Sequence, residues 1–223
     1  MTQYTPLEID EKMGGSFRHQ RDSVSRMIDG TSFDPLGRPP ISILSRGTVM
    51  APVVATGLMK PWRATLAAAI SLGPGSGETT GVHVADPQMF AAGDVIGYVP
   101  LATPLAAATE IGTVSTIAGS ILTLGTYVAH ALADGDIIVV MENDQASDAG
   151  ILGQNVSLYT NQLNSAPGQA PLTVTTDGAV VYQGEIDEAQ VIVGTAFPGS
   201  ILVARVKAML PLIYIVPPVP GVA

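Results

Sequence analysis

The chain has no cysteine. That excludes disulfide staples and thiolate metal sites, and nothing else in the sequence requires an oxidising compartment. Charge is also scarce. Only 13% of the residues are charged, and from Ala64 to Ala204 there is no Lys or Arg against thirteen Asp and Glu. DNA and RNA bind through Lys and Arg that neutralise their phosphates, so no direct nucleic-acid ligand is expected of such an acidic body. Long apolar runs are missing too. The stretch from Ile201 to Val216 is broken by Arg205, Lys207 and Pro211 and falls short of the roughly 20 residues that a membrane-spanning helix needs. The N-terminal Met-Thr-Gln-Tyr-Thr-Pro lacks the basic flank and apolar run of a secretory signal. A soluble protein without a membrane partner is the expectation.

What is present is aliphatic. Hydrophobic residues make up 47% of 223, with only four Phe and one Trp, a composition that suits strands built on Val, Ile, Leu, Ala and Thr. The 24 Gly and 17 Pro are too frequent for long helices. These features predict an all-β fold of short strands and many turns.

The stretch from Arg46 to Arg63 gives the clearest local signal. Val49, Ala51, Val53 and Ala55 alternate with Thr48, Met50, Pro52 and Val54, and Thr56-Gly57 supplies a turn before the chain returns through Leu58, Lys60 and Trp62. This is the pattern of a β-hairpin. Pro52 cannot donate to a ladder, which predicts an edge strand or a bulge. Trp62, between Pro61 and Arg63, suits either an interface anchor or ordinary core.

Residues 1–42 carry Gly14-Gly15, Gly30, Pro35, Gly37 and Pro39-Pro40 and no sustained apolar period. They read as an extended arm that orders on a partner, with room for a short amphipathic helix from Arg18 to Ile28. The Gly73-Pro74-Gly75-Ser76-Gly77 run reads as a linker. It lacks the Lys-Ser/Thr of a phosphate loop and does not match a nucleophile elbow.

From Gly81 to Asn143 the composition looks self-contained. Strands are expected at Gly81 to Ala85, Val95 to Val99, Thr113 to Ile117, Ile121 to Leu124 and Ile137 to Met141, with a hairpin turn at Ala118-Gly119-Ser120. Within it Met89-Phe-Ala-Ala-Gly-Asp-Val-Ile96 is echoed by Ala131-Leu-Ala-Asp-Gly-Asp-Ile-Ile138, as a small closed barrel would use twice. Asp94 and Asp136 read as turn residues rather than calcium ligands, because the spaced ligands and bidentate Glu of a calcium loop are missing. Further on, Leu172, Val174 and Thr176 lead to Asp177-Gly178, a hairpin signal, with a return strand from Ala179 to Gln183. Gln190 to Val193 and Ser200 to Val206 also read as strands, and the Pro-rich residues 217–223 as an extended tail.

Chemistry is hard to find. His19, His83 and His130 fall in separate segments with no partner at ligand spacing, and Glu185, Asp187 and Glu188 read as a solvated turn. No catalytic residue, cofactor or metal is expected.

Three separated pieces, Gly47-Thr-Val-Met-Ala-Pro-Val-Val-Ala-Thr-Gly-Leu-Met-Lys-Pro-Trp62, Ala149-Gly-Ile-Leu-Gly-Gln-Asn-Val156 and Ala170-Pro-Leu-Thr-Val-Thr-Thr-Asp-Gly-Ala-Val-Val-Tyr-Gln-Gly-Glu185, resemble in kind and order the lambda-type head decoration proteins of tailed bacteriophages. The resemblance implies a β-tulip core, here formed by residues 43–75 and 146–216; residues 76–145 depart from the family pattern and read as an inserted small β module. It also implies a homotrimer at three-fold positions on the outer surface of the expanded capsid, where an N-terminal arm clamps the major capsid protein. In this chain the arm residues for that contact are Phe17, Arg18, Arg21, Arg26, Ile28, Phe33 and Arg38. The alternative expectation is another virion surface or fibre protein whose inserted module binds glycans.

Overall fold

The computed structural model describes residues 17–29, 43–70, 80–128, 130–144, 148–158, 175–193 and 200–216. The fold is all-β, a closed five-strand barrel joined to a curled half-barrel sheet. The barrel uses β1 (Phe17–Ile28), β3 (Val49–Pro52), β4 (Met59–Pro61), β11 (Gly150–Leu152) and β13 (Thr176–Asp187) in the order β1-β4-β3-β11-β13, and β13 pairs back to β1. A short pair, β2 (Ile43–Leu44) with β12 (Val156–Ser157), lies beside it. β14 (Ile213–Val216) runs parallel to the last residues of β13.

The β3–β4 hairpin forms, but β3 ends at Pro52 and the turn, closed by Val53 N–H to Leu58 O at 2.9 Å, takes in Val53, Val54 and Ala55 as well as the expected Thr56-Gly57. Met50 pairs with Pro61, Ala51 with Lys60 and Pro52 with Met59, and Gly57 adopts φ +70° in the turn. Its alternation serves two cores at once. Met50 points into the barrel with Ile28, Leu44, Met59, Leu152 and Val180, whereas Val49 and Ala51 face outward into a second core. The strand is not at an edge, contrary to the Pro52 expectation. It lies between β4 and β11, and β11 reaches only Val49 and Met50, so Pro52 has no ladder to interrupt on that side.

The half-barrel follows the order β5 (Ala64–Leu66), β10 (Ile137–Val140), β7 (Val95–Val99), β8 (Thr109–Ala118), β9 (Ile121–Leu124), β6 (Gly81–His83). Its two end strands meet at an Ala67–Val84 bridge, flanked by an Ala68 N–H···O His83 bond of 2.9 Å and an Ala85 N–H···O Leu66 bond of 3.0 Å. The β8–β9 hairpin turns at Gly119-Ser120 as expected.

The echoed motif gives two turns of one design. Asp94 Oδ2 accepts from Ala91 N–H at 2.7 Å, and Asp136 Oδ2 from Ala133 N–H at 2.8 Å. Gly93 and Gly135 have φ +97° and +87°. Each turn is then tied to a neighbouring strand in the same manner. Gly93 N–H donates to Val114 O and Val114 N–H to Asp94 O, while Gly135 N–H donates to Ala67 O and Ala67 N–H to Asp136 O. Because β7 and β10 are antiparallel, the two turns sit at opposite ends of that pair.

Between barrel and half-barrel lies a shared core. Val49, Ala51, Trp62, Ile151 and Val181 from the barrel side meet Val99, Ile137 and Val139 from the half-barrel, with Val206, Met209 and Leu210 of the helical end and Ile213 and Ile215 of β14. Burying each such aliphatic side chain contributes about 1.5–3 kcal/mol.

Three expectations are corrected. Arg18 to Ile28 is not helical but part of β1, because β13 offers it a long backbone partner that no local pattern announces. Asp177-Gly178 is not a hairpin turn, since β13 runs straight through it and Gly178 pairs with Arg26. Ser200 to Val206 is not a strand but lies in the helix α1 (Ser200–Met209), whose Val206 and Met209 bury, with Leu210 just past its end, at helical spacing.

Candidate assembly interface

β1 is paired on one side only. Its inner edge is matched by β13 from Phe17↔Ile186 to Ile28↔Thr176. On the other side β4 meets it at Ile28↔Met59 alone, because the β3–β4 hairpin turns back at that level. Among the described residues no other strand joins β1. At roughly 3.3 Å per residue the open edge is on the order of 35 Å long. Asp22 to Met27 are all exposed, Val24 and Met27 at 45% and 46%. Register shifts between Phe17 and Ser23 bend the strand, a device that limits indiscriminate edge pairing.

The arm residues separate on this strand. Phe17, Arg18 and Arg21 lie on β1 toward its start, and Arg26 is exposed near its end. Arg26 Nε donates to the Tyr182 hydroxyl at 2.9 Å, and its guanidinium carbon lies 5.6 Å from the centre of the Tyr182 ring. Ile28 is corrected: it is fully buried inside the barrel and cannot touch a partner. Phe33 and Arg38 fall outside the described residues.

Trp62 is likewise not available to another molecule. It is fully buried in the shared core, and its indole N–H donates to Asp144 Oδ1 at 3.1 Å. Around it runs a polar network that sequence reading missed. Arg63 grips Asp94 with two bonds of 2.7 and 2.9 Å and also reaches Glu142 at 3.3 Å. Lys60 bridges Glu142 at 3.0 Å and Asp29, just past β1, at 3.7 Å. Arg205 of α1 pairs with Asp144 and donates to Pro104 O at 2.7 Å and Ala106 O at 2.9 Å. Asn143 donates to the carbonyls of Ala51 and Lys60 at 3.2 Å. A signal did exist. Beyond Arg46 the chain has four basic residues, Lys60, Arg63, Arg205 and Lys207, and three of them serve this network. In an apolar, acidic body a lone cation has to be matched to a carboxylate.

Elsewhere the candidates do not converge. His83 is exposed on β6 and His130 lies against Tyr98, ring centres 5.4 Å apart. Among the described residues no three acidic or His side chains gather as a metal site, and no helix is long and apolar enough to cross a membrane. A cleft of about 630 Å³ on the half-barrel is lined by Ile70, Tyr98, Leu101, Leu132 and Asp136 among others. The Asp136 carboxylate is already engaged there by the N–H groups of Leu101 and Ala133, both at 2.8 Å. No protein-family model, curated protein or solved structure matches the chain.

Proposed function

We propose that the chain is a head decoration protein of a tailed bacteriophage, which binds the outer surface of the expanded capsid and reinforces it against the pressure of packaged DNA. Its partner is the major capsid protein, and it acts as a homotrimer at three-fold positions. One observation carries the reading. The three separated stretches that resemble such proteins supply β3, β4, β11 and β13 of a single barrel, and the fifth strand, β1, presents an open edge. An open edge suits strand addition, in which main-chain hydrogen bonds give affinity to a protein surface. A trimer engaging several capsid subunits then gains strength by multivalency without any strong single contact.

The glycan-binding alternative is less well served. The half-barrel cleft is mostly apolar, and its one carboxylate is already occupied by backbone donors.

The test is to add the purified chain to undecorated expanded heads and to unexpanded shells formed by the capsid protein encoded with it. Co-sedimentation with expanded heads and a higher head-rupture temperature are expected. Failure to bind, or heads that rupture at the same temperature with and without it, overturns the proposal.

A further inference from the structure

We infer that the open edge of β1 takes an extended segment that carries carboxylates, and that Arg26 is the fixed point receiving one of them. This rests on the edge-pairing reading above and adds the chemistry of the partner. Arg26 is exposed, yet it is held in place. The hydrogen bond from Nε to the Tyr182 hydroxyl, with the guanidinium carbon 5.6 Å from the centre of the Tyr182 ring, ties the side chain to β13. Tyr182 is itself half-buried and packed against the barrel core. The two terminal nitrogens of Arg26 have no partner among the described residues, so a planar fork of donors is left unmatched on an exposed side chain whose guanidinium lies at Tyr182 of β13. Such a fork matches a carboxylate in two-point geometry. Holding it in advance removes much of the ordering cost that a free surface Arg would incur on binding.

The distribution of charge points the same way. The molecule has a net charge of −9, and β1 carries three Arg against one Asp within twelve residues. Lys60, Arg63 and Arg205 are already matched to carboxylates of the chain itself. Arg26 therefore stands out as an exposed cation without a carboxylate of its own, to which an acidic strand is attracted. The exposed Val24 and Met27, on opposite faces of β1, offer apolar contact to an added strand on each face.

Two capped peptides test this on the full chain: Thr-Val-Glu-Val-Thr-Glu-Val-Thr and its counterpart with Gln at both Glu positions, followed by fluorescence anisotropy at low and moderate salt. The acidic peptide is expected to bind about tenfold tighter or more, as a charge-assisted pair provides. Salt should narrow the difference, Arg26→Gln should abolish it, and Tyr182→Phe, which keeps the ring but loses the hydroxyl, should reduce it. Circular dichroism of both variants should match the parent. No binding of the acidic peptide, equal binding of the two peptides, or undiminished discrimination by Arg26→Gln overturns the inference. Arg26→Gln in the head-binding assay separates the two proposals. Heads decorated equally well by parent and variant, with the same salt dependence, retain the decoration reading and remove the Arg26 role. Acidic-peptide preference without decoration does the reverse.

Discussion

Gly178 sits in β13 opposite Arg26, where a Cβ would lie 2.3 Å from Ile28 Cδ1 and 3.1 Å from Val156 Cγ2. Its role is close approach of β13 to the barrel interior, not turn formation. In sequence, Asp-Gly between two apolar runs signals a turn, and nothing local reveals that a side chain from 150 residues earlier occupies the space. Gly178→Ala should cost about 1–3 kcal/mol by overpacking, measured by urea unfolding. Adding Ile28→Val, which alone costs about 1 kcal/mol, should recover part of the loss. Strict additivity of the two changes would mean that they do not share this contact. Trp62 is a second such case. Its burial could not be read from its neighbours, and neither could the partners of Lys60, Arg63 and Arg205, whose carboxylates lie 31 to 82 residues away in sequence.

At the scale of elements, the signals that proved legible were local ones. The β3–β4 and β8–β9 hairpins and the two Gly-Asp turns are specified within a few residues, so their sequence patterns survive in the structure. β1 and α1 were missed because distant parts of the chain decide them. β1 takes its conformation from β13, and α1 from the shared core it covers. The paired turns also yield a contrast. Asp136 receives only backbone N–H groups, whereas Asp94 additionally neutralises the buried Arg63. Asp136→Asn should cost about 1–2 kcal/mol, the scale of a lost hydrogen bond. Asp94→Asn should cost about 3–5 kcal/mol because it leaves a buried cation underpaired. Chemical denaturation of both variants checks the order, and equal losses would mean that Arg63 is satisfied without Asp94.

For the whole molecule, the shared core decides cooperativity. Barrel strands, half-barrel strands, α1 and β14 all contribute to it, and Lys60, Arg63 and Arg205 fasten its margin. Residues 81–143 look self-contained in composition, yet Val99, Ile137 and Val139 turn away from their own sheet interior toward the barrel. The two sheets should therefore unfold together. Fluorescence of the single Trp62, far-ultraviolet dichroism and amide exchange across β7–β9 should report one coincident transition. A separate, earlier transition in the β7–β9 amides would show that the half-barrel stands alone.

The length of the β1–β13 ladder has a mechanical consequence. The strands run against each other from Phe17↔Ile186 to Ile28↔Thr176. Tension directed along the strand axis loads the bonds of its regular part, Ser23↔Val181 to Ile28↔Thr176, in shear together, whereas a sideways pull peels them singly. A tether fastened to β1 is thus strongest when it draws lengthwise.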